Sequence, residues 1–306
     1  MNKIIISFLF IIISFPSYSN EIQGLGWLVR RSVDPISTGE FYKKILGLPE
    51  LRRRNNLESK NIMLWAGGYS VLATNWKGKI YPKVNSLEDA EIIPIFRTRN
   101  ITSIKSVLKQ NSIIPIFDNT KKDSTIYFLD PSGFVVGVRP SVEKTNLSSD
   151  IAADLIPNVK NPLGYIQDLG WLRMNVSNPQ ILAEFYNEVV GLDILENNEQ
   201  DGTSLYLGAG IMLELRVGGK PRAMRKDRKE VPDVWVLRGY NIDAFHNKMK
   251  RYNVPIINEL TLEGGELNYY LDPEGNVFGY QERNEFDPNN EFSQRIEDLE
   301  ARKAWK

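Results

Sequence analysis

The stretch LGWL occurs at Leu25–Leu28 and again at Leu169–Leu172. A Phe-Tyr pair and then a Gly-Leu pair follow each copy, and all three landmarks recur at a spacing of 144 residues. An Asp-Pro-x-Gly turn that begins at Asp130 is repeated from Asp272, 142 residues later. A nearly constant offset over several landmarks indicates an internal duplication.

Each copy predicts the same order of secondary structure. In the first, alternating apolar residues from Leu25 predict a strand, and Ser37 or Thr38 is the expected cap of a helix. Apolar runs on either side of Gly67-Gly68 predict a hairpin. A second strand and helix follow, and then a strand at Ile113–Phe117 and two more strands around the Asp130 turn. The order predicts an α+β fold of tandem βαβββ-type modules, with helices on one face of the sheets.

The N-terminal residues have the pattern of a secretory signal peptide. Lys3 precedes the apolar run Ile4–Phe15, and small residues surround the expected cleavage site after Ser19. The run would make about 18 Å of helix, which is short for a bilayer core of about 30 Å, so a membrane anchor is the weaker alternative. The prediction is a secreted or periplasmic protein with no membrane association after cleavage.

The remaining chain divides into segments on the basis of the repeat. We expect the signal peptide at 1–19, a first module at 22–142, a polar linker at 143–166, a second module at 167–284 and a helical tail at 285–306. Whether the modules pair within one chain or across a homodimer is open at this stage.

Composition excludes several classes of function. The chain has 42% hydrophobic and 25% charged residues and a formal net charge of zero, which is typical of a globular protein and gives no indication of nucleic-acid binding. Cysteine is absent, so the chain has no thiolate nucleophile, disulfide or cysteine metal site.

The ordered landmarks resemble the vicinal oxygen chelate superfamily, which includes glyoxalase I, extradiol dioxygenases, and fosfomycin- and bleomycin-resistance proteins. The resemblance implies that the βαβββ units curl into mixed sheets, that paired units enclose a cup, and that helices pack on the outer face. It also implies a divalent metal held by His on the first strand and Glu on the last strand of a cup.

The implied metal ligands are missing from this sequence. Trp27 and Trp171 stand at the two His positions, and Gly137 and Gly279 stand at the two Glu positions. The single histidine, His246, falls in a predicted helix. We therefore expect no metal and no cofactor. Catalytic activity is left uncertain, with the balance against an enzyme.

The candidate ligand-binding residues are Trp27, Trp171, Trp65, Tyr206 and Glu214. Each Trp is interpreted either as core packing or as a stacking wall of the cup. Glu214 is either a solvent-facing strand residue or a polar contact in the cup, and Ala73 is taken as its counterpart in the first module.

The leading hypothesis is an exported protein that binds a small organic ligand in a metal-free, aromatic-lined cup. One alternative is a lyase, isomerase or dioxygenase that uses Glu214 or a tyrosine as general base. Another is a scaffold with a filled cup whose outer surface binds a protein partner. The basic runs Arg52–Arg54 and Lys220–Lys229 are interpreted as solvated loops, the second as a lid or a partner contact.

Overall fold

The fold is described from a computed structural model of the chain. It covers residues 22–56, 60–66, 70–74, 81, 83–84, 86–119, 125–140, 166, 168–198, 202–208, 211–262 and 265–282. The predicted signal peptide and C-terminal tail lie outside this range, as does all of the predicted linker except Ile166. No helix within the range is long and apolar enough to cross a membrane.

The first repeat contains two βαβββ units in succession. Unit 1 consists of β1 (Ile22–Arg31), α1 (Pro35–Leu46), β2 (Glu50–Asn55), β3 (Lys60–Trp65) and β4 (Ser70–Thr74). Unit 2 consists of β5 (Ile92–Thr98), α2 (Ile101–Gln110), β6 (Phe117–Asn119), β7 (Thr125–Leu129) and β8 (Val135–Pro140).

The second repeat has the same order. Unit 3 consists of β9 (Asp168–Val176), α3 (Pro179–Glu184) with a π-helical continuation (Phe185–Val190), β10 (Asp193–Asn198), β11 (Gly202–Gly208) and β12 (Ile211–Val217). Unit 4 consists of β13 (Asp233–Gly239), α4 (Ile242–Arg251), β14 (Ile256–Leu262), β15 (Gly265–Leu271) and β16 (Val277–Glu282).

Each sheet combines one unit from each repeat. Sheet A has the order β14-β15-β16-β13-β1-β4-β3-β2, so unit 1 pairs with unit 4. Sheet B has the order β10-β11-β12-β9-β5-β8-β7-β6, so unit 2 pairs with unit 3. The central contacts are antiparallel, between β1 and β13 and between β5 and β9. The units of the two repeats therefore pair within one chain. The predicted α+β class with curled mixed sheets is confirmed.

The helices pack on one face of each sheet, and these two faces turn toward each other. One buried apolar cluster contains residues of all four helices and of both sheets. Phe41 of α1 packs on Phe128 of sheet B, although α1 belongs to unit 1 of sheet A. Burial of this shared core is the main stabilising term for a chain without disulfides.

Each Phe-Tyr motif is hydrogen-bonded to an Asp-Pro-x-Gly turn. The Tyr42 hydroxyl of α1 donates to the Asp130 carboxylate at 2.9 Å, and the Tyr186 hydroxyl donates to Asp272 at 2.8 Å. Each bond joins a helix of one sheet to a turn of the other. Burial raises the pKa of Asp272 to about 6, even though hydrogen bonds from Asn276 and Tyr186 favour its ionised form. The Phe-Tyr and Asp-Pro-x-Gly motifs therefore recur because they connect the two sheets twice.

The helix boundaries refine the sequence predictions. Asp34, rather than Ser37 or Thr38, is the N-cap of α1, and its carboxylate accepts from the backbone N–H groups of Ile36 and Ser37. The predicted glycine stop is confirmed, because Gly47 takes a left-handed conformation with φ of 73°.

Two strand predictions were wrong. The strand expected at Ile113–Phe117 begins only at Phe117. Arg52–Arg54, expected in a loop, lies in the edge strand β2, where Arg53 forms ion pairs with Glu40 and Glu50. Edge strands are half solvated, so the apolar alternation that identifies a strand is weak there.

Candidate functional site

The face of each sheet opposite the helices forms a cup. We call these faces cup A and cup B, after their sheets. Cup A carries an apolar cluster around Val29, Val234 and Val236, against which Trp27 packs. Cup B carries a separate cluster around Ile93, Ile95 and Trp171.

Strand register places the implied metal-ligand positions in one row of each cup. In cup A, Trp27 pairs with Ser70 on one side and with Val236 on the other, and Val236 pairs with Gly279. In cup B the row is Met212, Trp171, Ile95 and Gly137. The positions predicted to replace His and Glu are therefore brought together, and they come from different repeats.

These rows do not fit the divalent metal that the resemblance implies. A Cβ at Gly137 would stand 2.8 Å from Ile95 and 3.2 Å from the Tyr127 ring, and one at Gly279 would stand 3.1 Å from the Tyr269 ring. The tyrosines thus occupy the space that a Glu side chain would need. Among the described residues, no group of three His, Cys, Asp or Glu side chains could hold a metal ion.

Trp27 is the partly exposed member of the row in cup A. Its ring is half-buried against the apolar cluster, and its indole Nε1 is shielded from solvent. That N–H finds no hydrogen-bond acceptor within the described part of the chain. A shielded donor that lacks an acceptor costs free energy, so it marks a place where a ligand oxygen would be stabilising.

One end of cup A is polar, and residues 228–231, in the segment between β12 and β13, pack against it. Arg31 of β1 is buried and donates to the Val231 carbonyl at 2.6 Å. The Arg228 guanidinium lies 5.0 Å from the centre of the Tyr269 ring. The Tyr81 hydroxyl donates to the Lys229 carbonyl at 2.5 Å. The predicted solvated loop is therefore a covering segment of the cup.

The protonation states at this end follow from burial. Burial lowers the pKa of Arg31, although the side chain remains a cation at neutral pH. Burial raises the pKa of Tyr81 to about 12 and also raises the pKa of Tyr269. The polar end of cup A therefore combines guanidinium groups and neutral phenols with the charges of Asp227 and Asp233, which both act on Tyr81.

Cup B is closed around its tryptophan. Trp171 is 1% exposed, and the Arg139 guanidinium stacks 4.5 Å from the centre of its ring. The Asn175 amide donates to the carbonyls of Leu87 and Ala90 at 2.6 and 3.0 Å, which holds the segment before β5 over the cup. This geometry favours the packing interpretation for Trp171.

Glu214 lies at the centre of a charged network in cup B. Its carboxylate accepts from Arg139 at 2.8 Å and from Arg173 at 3.0 Å, and Arg173 also donates to the Tyr127 hydroxyl. The residue is buried, so the solvent-facing interpretation was wrong. Register pairs Glu214 with Arg173 and Leu72 with Val29, so its counterpart is Leu72 rather than Ala73.

The same network makes Glu214 unsuitable as a general base. Burial alone would raise the pKa of its carboxyl, but the charges of Arg139 and Arg173 outweigh burial and hold the pKa well below the usual range. A carboxylate with so low a pKa accepts a proton poorly at neutral pH.

Of the other candidates, Tyr206 lies in the other sheet and Trp65 lies in the row of Trp27. Tyr206 is half-buried on β11 of sheet B, in register with Met212. Trp65 ends β3 of sheet A, and Ser70 of β4 pairs with both Trp65 and Trp27; the side chain of Trp65 is outside the described part of the chain. His246 is buried on α4, with its Nδ1 3.2 Å from the Tyr270 hydroxyl. Sequence reasoning missed Arg31, Arg139 and Arg173. Arg31 and Arg173 stand four and two residues from a tryptophan on the same strand, whereas Arg139 contacts Trp171 from a different strand.

Comparison with known proteins supports the fold. No family model matches the sequence, and no curated protein is detectably similar to it. A candidate dioxygenase from Bacillus subtilis subsp. subtilis str. 168 has a TM-score of 0.60 at 12% identity, over 89% of this chain and 88% of that one. A mutant of glyoxalase I from Zea mays has a TM-score of 0.59 at 14% identity, over 85% and 93% of the two chains. Another structure of Zea mays glyoxalase I has a TM-score of 0.56 at 14% identity, over 92% and 96%. The chain therefore has a glyoxalase-like fold.

Proposed function

We propose that the protein binds a small organic molecule in cup A without a metal ion. The observation that carries the proposal is Trp27, a half-buried ring whose shielded indole N–H has no acceptor among the described residues. The ring stands in the row where the related fold would place a metal ligand, beside small or apolar neighbours. Apolar walls with a few directed polar groups are the usual composition of a small-molecule site.

Cup A is preferred to cup B because of how the two tryptophans are placed. Trp171 is almost fully buried beneath Arg139, so a ligand would have to displace the ion pairs of Glu214 to reach it. Trp27 keeps part of its surface open, and the neighbouring Ile257 and Leu260 are also only partly buried. We therefore expect one ligand per chain.

A neutral aromatic probe tests this proposal. Titration of the full chain with 1-anilinonaphthalene should give saturable fluorescence with one probe per chain. Trp27→Phe keeps a ring but removes the indole N–H and part of the aromatic surface. The smaller contact surface should weaken binding of this probe roughly fivefold, or about 1 kcal/mol. Trp171→Phe is the matched control and should bind as the parent does. Equal affinity in all three proteins, or no saturable binding, would reject cup A as the site.

Export is a second part of the proposal, and it rests on the N-terminal sequence pattern. We propose that the chain is cleaved after Ser19 and acts in the periplasm or outside the cell. Mass spectrometry of the protein recovered from a periplasmic extract should give a chain that begins at Asn20. An intact N-terminus in the cytoplasmic fraction would contradict it.

A further inference from the structure

Two connecting segments occupy the same position in the two repeats. Strap B, residues 86–91, leads into β5, and strap A, residues 222–231, leads into β13. The chain passes from sheet A to sheet B between β4 and β5, and from sheet B back to sheet A between β12 and β13. The two passages run in opposite directions, and the straps meet between the sheets.

Strap B is fixed to cup B by one side chain of β9. The Asn175 amide donates to the carbonyls of Leu87 and Ala90 at 2.6 and 3.0 Å. Leu87 and Ala90 also pack with the apolar cluster that contains Trp171. Within the strap, the backbone N–H of Ala90 donates to the Leu87 carbonyl, and that of Asp89 donates to a serine hydroxyl. These bonds protect two backbone amides of strap B from exchange with solvent.

Strap A is fixed to cup A in the same manner. Val231 is buried in the apolar cluster of cup A. The backbone N–H of Arg228 donates to the Asn258 side chain of β14 at 2.9 Å. Each strap is therefore anchored by one asparagine side chain of the sheet on which it lies.

The two straps are bonded to each other at two points. Arg225 of strap A donates to the Glu91 carboxylate of strap B at 2.8 Å. Just before strap B, the Tyr81 hydroxyl donates to the Lys229 carbonyl of strap A at 2.5 Å. The Arg225 and Glu91 side chains are only 13% and 20% exposed, so their charge-assisted bond is shielded from water and is stronger than a surface ion pair.

We propose that the two straps move as one unit, so that displacement of either strap from its cup loosens the other. If one strap left its cup alone, the Arg225–Glu91 pair and the Tyr81 hydrogen bond would break. If both straps leave together, these bonds are kept, so joint opening costs less than the two separate openings. The inference goes beyond the proposed function and does not depend on it. It makes cup B, which has no ligand in that proposal, sensitive to the state of cup A.

Hydrogen exchange of the full chain, followed by mass spectrometry, tests the inference. Asn258→Ala removes the anchor of strap A, and Asn175→Ala removes the anchor of strap B. We expect each variant to speed amide exchange in its own strap, and to speed exchange in the opposite strap about fivefold or more, because coupling between two sites is reciprocal. The decisive signals are the amides of residues 89 and 90 in Asn258→Ala and the amide of residue 228 in Asn175→Ala.

A variant that cuts the link separates coupling from general loosening. Tyr81→Phe combined with Glu91→Ala removes both contacts between the straps. In this background, each asparagine substitution should change exchange in its own strap alone. Asn197→Ala is the matched control, because this asparagine lies on the edge strand β10 and bonds to Gln180 and Thr203. It should leave exchange in both straps as in the parent.

The outcomes decide between coupled and independent straps. Exchange in the opposite strap that stays at the parent rate in the asparagine variants overturns the inference. Acceleration that persists in the cut background also overturns it, because the effect would then pass through the sheets. Acceleration of both straps in Asn197→Ala overturns it as well. Asn258 is only half-buried on an edge strand, so its variant gives a decisive result even if Asn175→Ala fails to fold.

Discussion

Cup A and cup B are built from equivalent strands but are lined by different residues. Both have a tryptophan on the first strand and a glycine on the last strand, in the same row. Cup B fills its polar end with the ion pairs of Glu214 and buries Trp171, whereas cup A has aliphatic residues and a half-open Trp27. The difference indicates that the duplicated frame is the same in both cups, while the residues that fill each cup are not.

The largest expected effect comes from neutralising Glu214. Glu214→Gln would leave Arg139 and Arg173 buried without their carboxylate, and we expect the free energy of unfolding to fall by about 3–5 kcal/mol at pH 7. Urea denaturation measures it. Glu50→Gln, in a surface ion pair with Lys43 and Arg53, is the matched control and should cost less than about 1 kcal/mol. Similar losses of unfolding free energy in both variants would show that the buried network of cup B stabilises the fold no more than a surface ion pair does.

The difference in unfolding free energy between the parent and Glu214→Gln should depend on pH with a defined sign. The folded pKa of Glu214 is below its usual value of 4.5, so its contribution is present above that pH and is lost as pH falls below it. The gap in stability between the parent and Glu214→Gln should therefore be constant above about pH 5 and shrink toward pH 3. A gap that widens in acid would contradict the assigned pKa direction.

Asp272 should give stability a pH dependence opposite in sign to that of Glu214. Its folded pKa of about 6 is above the usual 3.8, so the folded state binds its proton more tightly, and stability from this group falls as pH rises from about 4 to 6. Two pKa units correspond to roughly 3 kcal/mol. Asp272→Asn should remove this slope from the curve of unfolding free energy against pH. An unchanged slope would assign it to another group.

The two Tyr–Asp links should differ in strength. Tyr42→Phe leaves Asp130 bound by Arg30 at 3.2 Å, and Tyr186→Phe leaves Asp272 with its Asn276 partner. We expect losses of about 1–2 kcal/mol in each case, with the larger loss for Tyr186→Phe, because Asp130 keeps a cationic partner and Asp272 keeps a neutral amide. Chemical denaturation of the two variants ranks them, and a larger loss for Tyr42→Phe would reverse the assignment.

The smallest effect is expected when the whole network of cup B is exchanged for the residues of cup A. Arg139→Gln, Arg173→Val and Glu214→Leu follow the counterparts Gln281, Val29 and Leu72. Replacing a complete buried ionic cluster by residues of suitable shape is often close to neutral, within about 1 kcal/mol. A loss in the triple variant as large as that in Glu214→Gln would show that the charges are needed for folding of sheet B.

The sequence predicted the order of strands and helices better than it predicted which residues meet inside the cups. The spacing of the Trp, Phe-Tyr and Asp-Pro-x-Gly landmarks was sufficient for the unit order. The resemblance to a known family indicated the positions of the replaced metal ligands, and strand register in the structure shows that these positions share a row. The polar edge strands β2, β10 and β14 were not predicted, since half-solvated strands lose the apolar pattern.

The contents of the cups could not be predicted for a different reason. Arg139 and Glu214 are 75 residues apart in the sequence and come from different repeats. Pairing of unit 2 with unit 3 brings them together, and a repeat of equivalent units does not say which of them pair. The placement of Leu72 also depends on strand register, which shifts with the length of the hairpin turn.

The most direct test of the central claim is ¹⁹F NMR of the chain labelled with 5-fluorotryptophan, with the Trp27 and Trp171 signals assigned by Trp27→Phe and Trp171→Phe. Titration with 1-anilinonaphthalene should shift the Trp27 signal saturably, at one probe per chain, and leave the Trp171 signal in place. A shift of Trp171 alone would place the ligand in cup B. No shift of either signal would contradict a ligand site at these tryptophans.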